Sequence, residues 1–255
     1  MIFHKSIATL QKIENLISNK IRGAYLRFGD GDVNLANGLS IWDCNDNDMY
    51  NHKNIKMITE IRECFRLEGP GILKTLPLYC NKYDGLEEGM YPGNHECSDE
   101  WADELLDSIN YWWNPIEVYS HCALHFLSSH KPEIAQQFLR SIKGKVDIFI
   151  GGLNIDSKIV HYVLGDQCEI ISVPDKYCSL ELDNIESKIK IKDDYQLVVT
   201  CMGCAGRVLQ KRLYTKKYNM FTFDFGSLMD ALCGINSRAW INLTGFDKDK
   251  FLGGL

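Results

Sequence analysis

The sequence has no apolar run long enough to cross a membrane, no internal repeat, no low-complexity tract and no composition break of the kind that marks a linker. One domain over residues 1–255 is therefore expected, and contact with a membrane surface stays open only at the periphery. Excess positive charge is also lacking. The 28 Lys and Arg stand against 34 Asp and Glu, giving a formal net charge of -6 that disfavours long-range attraction to a polyanion and argues against nucleic acid as partner. The opening MIFHKSIATLQKIENLISNK is interrupted by polar residues every few positions, so it reads as a first helix and not as a signal peptide. With no secretory context visible, the 10 Cys are expected to be reduced thiols in a cytoplasmic protein.

Several motifs are missing as well. No G-x-G-x-x-G follows the first strand, which counts against a nicotinamide-dependent enzyme such as a nucleotide-sugar dehydratase or reductase. Cys201 and Cys204 form a C-x-x-C that Cys80 or Cys97 could join, but no second close pair completes a zinc signature, and buried inert thiols are the better reading. His121 and His125 lie four residues apart without the Glu of H-E-x-x-H, so they read as ordinary core or surface histidines.

What is present is an alternation of helical and extended patterns. Residues 6–17 place Ile7, Leu10, Ile13, Leu16 and Ile17 near one helical face, and IRGAYLRF then reads as a strand delivering GDGD to its C-terminal end. Residues 54–67 carry another helical stripe, and residues 72–79 read as a Pro-interrupted strand. The irregular stretch 81–130, with a helix from Asp99 to Ile109 and the aromatic Tyr111, Trp112 and Trp113, is compatible with a helical insertion or lid. Strands at 145–150, CEIISVP, YQLVVT and NMFTFDF then alternate with helices at DSKIVHYVLG, LELDNIESKI and AGRVLQKRLYTK. Such alternation favours right-handed crossovers and a mainly parallel sheet flanked by helices, an α/β Rossmann-like fold.

Ligands in such sheets occupy the crevice beyond the C-terminal strand edges, where three segments can meet: RFGDGD, IGGLN and TCMGCAGR. Asp30 and Asp32 supply hard oxygen ligands suited to Mg²⁺ or Mn²⁺, and on extended chain both could point to one side, with Gly31 allowing a close approach. The same Asp and Gly residues equally suit a structural turn or a helix cap. Arg27 has the planar fork for a phosphate, against an ordinary carboxylate-paired Arg. Gly203 and Gly206 could present helix N-terminal amides to a diphosphate, with Arg207 adding charge, or simply pack tightly. Asp224 could bind an acceptor or act as a base, or cap the turn that follows it. Asn34 and Asn37 could meet hydroxyl groups, Glu87, Glu88, His95 and Glu96 could serve an acceptor, and Tyr111 to Trp113 could stack a sugar; each has an ordinary structural role as alternative. Trp240 and Phe246 suggest a packed final segment.

The run LRFGDGD, followed by IFIGG, CEIISVP, LVVTCMGCAGRVLQKRL and FTFDFGS, resembles the GT-D-type glycosyltransferases, first catalogued as a domain of unknown function, over roughly residues 20–235. The resemblance implies transfer of a sugar from a nucleoside-diphosphate donor, with UDP-glucose a candidate, to a hydroxyl of a glycan or glycoconjugate, as in polysaccharide biosynthesis. It also implies a divalent metal, Mn²⁺ or Mg²⁺. The family's D-x-E motif maps onto Asp30 and Asp32, and its Arg and Gly positions onto Arg27, Gly29 and Gly31, near the diphosphate. Asp32 stands where the family has Glu, which shortens the reach of that carboxylate. A sugar-nucleotide or glycan-binding protein without turnover, and a purely structural module, are the competing readings. Association into a homo-oligomer is compatible with all three.

Overall fold

The computed structural model describes residues 1–39, 52–90, 98–175, 177–236 and 238–255. From β1 (Ile2–His4) the chain runs through α1 (Ser6–Ser18) to β2 (Gly23–Leu26), then through α2 (Asp30–Ala36) and α3 (His52–Arg66) to β3 (Ile72–Leu76). Helix α4 (Asp99–Ile109) leads to β4 (Glu117–Ser120), and α5 (Ala123–His130) with α6 (Pro132–Ile142) leads to β5 (Val146–Gly152). There follow α7 (Ser157–Leu164), β6 (Glu169–Val173), α8 (Leu182–Lys188), β7 (Gln196–Cys201), α9 (Gly203–Thr215) and β8 (Met220–Asp224). After β8 come α10 (Leu228–Leu232), α11 (Ala239–Leu243) and α12 (Lys248–Gly253).

The strands form one 8-stranded sheet in the order β1-β4-β3-β2-β8-β7-β5-β6, and every recorded pairing is parallel. Chain direction in this order decides which face each helix covers. The steps β1 to β2, β4 to β5 and β5 to β6 run one way across the sheet, while β2 to β3, β3 to β4, β6 to β7 and β7 to β8 run the other. Right-handed crossovers must then place the two sets of helices on opposite faces. The packing agrees: Leu10, Leu127, Phe138 and Val160 pack with Tyr25, Val199 and Phe221 on one face. Ile61, Leu105 and Val208 pack with Ala24, Leu26 and Val198 on the other. Strands β2 and β8, at the centre, are buried along their whole length, which is why both read as nearly unbroken apolar runs. Among the described residues no helix is long and apolar enough to cross a membrane.

The stretch 81–130, expected as a possible helical insertion or lid, supplies a strand of the sheet among its described residues. It contributes β4, which lies between β1 and β3, and it sends α4 and α5 to opposite faces of the sheet. The strand is hidden in the sequence because it has only 4 residues, too few for an alternation to register. Trp113 is buried in the core beside Phe28 and Phe65, whereas Tyr111 is 81% exposed.

Close strand approach makes one glycine testable. A Cβ on Gly23 would sit 2.2 Å from the carbonyl oxygen of Gly71, where β2 meets the turn into β3. Gly23→Ala is expected to destabilise the chain by about 1–3 kcal/mol, because backbone must move to make room. A denaturant titration checks this; an unchanged midpoint would contradict the close approach.

Candidate active site

The chain leaves β2 towards the face covered by α3 and leaves β8 towards the opposite face, where Leu228 and Phe251 pack. A crevice opens between neighbouring strands whose exits diverge in this way, at the C-terminal edge of the sheet. Arg27, Gly29 and Asp32 stand at the end of β2, Asp224 at the end of β8, and α9 brings Gly203 and Arg207 to the same place.

The two acidic residues of GDGD begin helix α2 and do not lie on extended chain. Gly29 is the N-cap, and the Asp32 carboxylate reaches back to accept a hydrogen bond from its backbone N–H at 2.9 Å. Asp30 is exposed while Asp32 is 3% exposed. Positions two apart on a helix do not share a face, so Asp30 and Asp32 do not point to one side as extended chain would have them. Asp32 fills the cap role that was one of the alternatives open in the sequence. Among the described residues no group of three or more His, Cys, Asp or Glu side chains is arranged to hold a metal ion.

Arg207 ties the site together. Its side chain is 5% exposed, and its Nε donates to the Arg27 carbonyl oxygen at 2.8 Å. Nη2 donates to the same carbonyl, Nη1 donates to the Gly203 carbonyl, and Nη1 lies 2.9 Å from Asp224 Oδ2. Asp32 Oδ1 is 3.6 Å from Nε. Burial opposes the charge on Arg207, but Asp224 and then Asp32 outweigh it, so its pKa is raised. The guanidinium expected at a diphosphate is thus turned inward, where it joins the ends of β2 and β8 to the first turn of α9.

Arg27 is placed differently. Its side chain is 14% exposed, with Nε 3.5 Å from Asp224 Oδ1 and Nη1 donating to the His121 carbonyl at 3.5 Å. The guanidinium lies against Gly226, where a Cβ would come within 2.4 Å of Nη2. Gly226 has φ +60, so both its conformation and its lack of a side chain are required. Gly29 faces His121 Nε2, 3.1 Å from where a Cβ would be, whereas a Cβ on Gly31 would meet nothing within 4 Å. A Cβ on Gly206 would meet Met202 and Thr200 only in ordinary contact, so nothing at that position requires a glycine.

His121 and His125 were expected as unremarkable histidines, yet both line the small pocket that Arg27 and Asp224 also line. Tyr79 Oη lies 3.2 Å from His121 Nδ1, and both ring nitrogens of His125 are buried without a hydrogen-bond partner. Burial, then the charges of Arg27 and Arg207, hold His121 well below the usual imidazole value; burial and Arg27 do the same to His125. A depressed folded pKa means that the unfolded chain takes up protons first as pH falls. The stability contribution is therefore complete above about pH 6.5 and is lost as pH drops from there towards the folded values. Denaturant titrations at about pH 7.5 and about pH 5 should show this loss. His125→Phe, which keeps the edge-on contact with Trp240, should flatten it; an unaltered slope would contradict the neutral buried ring.

The remaining candidates have structural roles or lie elsewhere. Glu87 accepts hydrogen bonds from Ser6, and Asn37 donates to Val33 at the end of α2. Asn154 of IGGLN donates to Asp175, joining the loops after β5 and β6. Asn34 and Glu88 are exposed, and His95 and Glu96 lie outside the described residues. Cys201 is a free thiol that burial pushes well above its usual value, the opposite of an activated redox cysteine. Trp240 and Phe246 pack against each other, as expected of a closed final segment.

No family model matches the sequence, and no curated protein is similar to it in sequence. Solved structures are similar in fold. One, domain of unknown function 1792, superposes with a TM-score of 0.66 at 18% identity over 89% of this chain and 79% of that one. A second, described as the same highly conserved domain with a distinct glycosyltransferase fold, gives 0.61 at 17% identity over 89% and 78%. This chain has the DUF1792 glycosyltransferase fold. A third DUF1792 structure, described as a new glycosyltransferase from Streptococcus sanguinis, gives 0.64 at 17% identity over 89% and 82%. The expected fold class is thereby borne out, with the DUF1792 sheet all parallel here.

Proposed function

We propose that this chain is a glycosyltransferase that moves a sugar from a nucleoside-diphosphate donor to a hydroxyl of a glycan or glycoconjugate. The observation that carries the reading is the partly exposed Arg27 at the β2/β8 crevice of a DUF1792 fold, backed by an inward-facing Arg207. In the reaction the bond between the anomeric carbon and the diphosphate oxygen breaks, and the acceptor oxygen bonds to that carbon and releases its proton. Negative charge accumulates on the departing diphosphate, where a guanidinium fixed in place beforehand stabilises it most. Arg207 acts one step back, by holding Asp224 and the Arg27 backbone in register.

A second reading is favoured by one feature. Asp224, the carboxylate expected to take the acceptor's proton, lies 2.9 Å from Arg207 and 3.5 Å from Arg27, so it is occupied as a counter-ion. A sugar-nucleotide-binding protein without turnover would need only that counter-ion role. Release of nucleoside diphosphate from a panel of nucleotide sugars, headed by UDP-glucose and supplied with hydroxyl acceptors, separates the two. Turnover of a donor is the expected result. Donor binding without turnover would favour the second reading, and neither binding nor turnover would remove both.

A further inference from the structure

We propose that Arg27 neutralises the leaving diphosphate in place of a divalent cation held by Asp30 and Asp32, an inference that rests on the donor reading above. The two carboxylates fail the first requirement of a shared metal site, which is convergence. At 3.6 residues per turn, the first and third positions of α2 are about 200° apart around the helix axis. One Asp32 oxygen caps Gly29 at 2.9 Å, while the other is buried without a hydrogen-bond partner and lies 3.6 Å from Arg207 Nε. A Mg²⁺ at the usual bonding distance of about 2.1 Å from that second oxygen would be pressed towards a permanent guanidinium cation. Each acidic residue also has a helix-start role, Asp32 through one oxygen that accepts from the Gly29 N–H and Asp30 as an exposed charge at the positive end of a helix.

Arg27 has donors to spare. Its Nε is buried without a hydrogen-bond partner, and its contacts with Asp224 and the His121 carbonyl, both 3.5 Å, are too long to satisfy a five-donor fork. His125, 5% exposed and with both nitrogens unpartnered, lines the same pocket. A planar cation with spare donors at the mouth of a crevice suits two phosphate oxygens at once. Gly226 gives that guanidinium its seat, so Gly226→Ala should displace it without touching its charge.

The test uses the purified full chain, titrated calorimetrically with UDP, ADP, GDP and inorganic pyrophosphate, in EDTA and then in Mg²⁺ or Mn²⁺. Free Mn²⁺ is followed by electron paramagnetic resonance, and melting curves are recorded for Arg27→Met and Gly226→Ala. Affinity for the best probe in EDTA should be within about threefold of that with metal, and about tenfold or more weaker in each folded variant. Mn²⁺ should stay in the free pool whether or not the probe is present. Binding seen only with metal, with Mn²⁺ captured alongside the probe, would overturn the inference and leave the donor reading standing. No binding in either condition would overturn both.

Discussion

Arg207→Met is expected to lower the melting temperature by roughly 6–20 °C, the result of losing about 3–5 kcal/mol at about 2–4 °C for each. The magnitude follows from what the substitution leaves behind. Asp224 and Asp32 have side chains only 1% and 4% exposed, and Arg207 is the cation that both approach. Removing one partner of a buried ion pair costs far more than the pair itself contributes, because the remaining charge keeps its desolvation penalty. The Arg27 and Gly203 carbonyl oxygens also lose the donors they share. Arg207→Lys keeps the charge but replaces a fork reaching three segments with a single ammonium, so its melting temperature should fall between wild type and Met. A melting temperature unchanged in Arg207→Met would show that these segments are held together by something else.

Arg27→Met is expected to reduce sugar transfer by about 10²–10³-fold, the usual consequence of deleting one fixed electrostatic donor to a developing oxyanion. Stability should change little, with the melting temperature within about 3 °C of wild type, since both polar contacts of Arg27 are long and Asp224 retains Arg207. Arg27→Lys should recover part of the activity, because a point charge replaces the charge but not the paired geometry. The contrast between the two arginines is the useful outcome: one variant is expected to lose the fold, the other the reaction. Parallel loss of both properties in Arg27→Met would contradict the division of labour.

The sequence made the second half of the fold legible and the site only partly so. Strands β5, β7 and β8 are buried on both faces, so each appears as an apolar run bounded by turn residues, and the helices between them have clear stripes. Strands β1 and β4, of 3 and 4 residues, have no such signature, so β4 looked like part of a lid. Asp30 and Asp32 stand two apart, a spacing that is the same on extended chain and at a helix start. What separates the two is the buried set Val33, Leu35 and Ala36 that follows, which marks a helix starting at Asp30. Arg207 was placed near a phosphate because it follows a glycine turn; its actual partners, Asp32, Asp224 and the Arg27 carbonyl, come from strand ends distant in sequence that only the sheet order brings together. His121 and His125 carried no motif, and their importance arises from burial beside Arg27.

The central claim, that the β2/β8 crevice holds a donor diphosphate on Arg27, is tested most directly by a crystal structure of the chain with a bound nucleoside diphosphate. The account predicts phosphate oxygens within hydrogen-bonding distance of the Arg27 guanidinium, next to Gly226 and the start of α2. Phosphate density at another strand end, such as the turn at Leu153 and Asn154 after β5, with Arg27 left untouched, would contradict it.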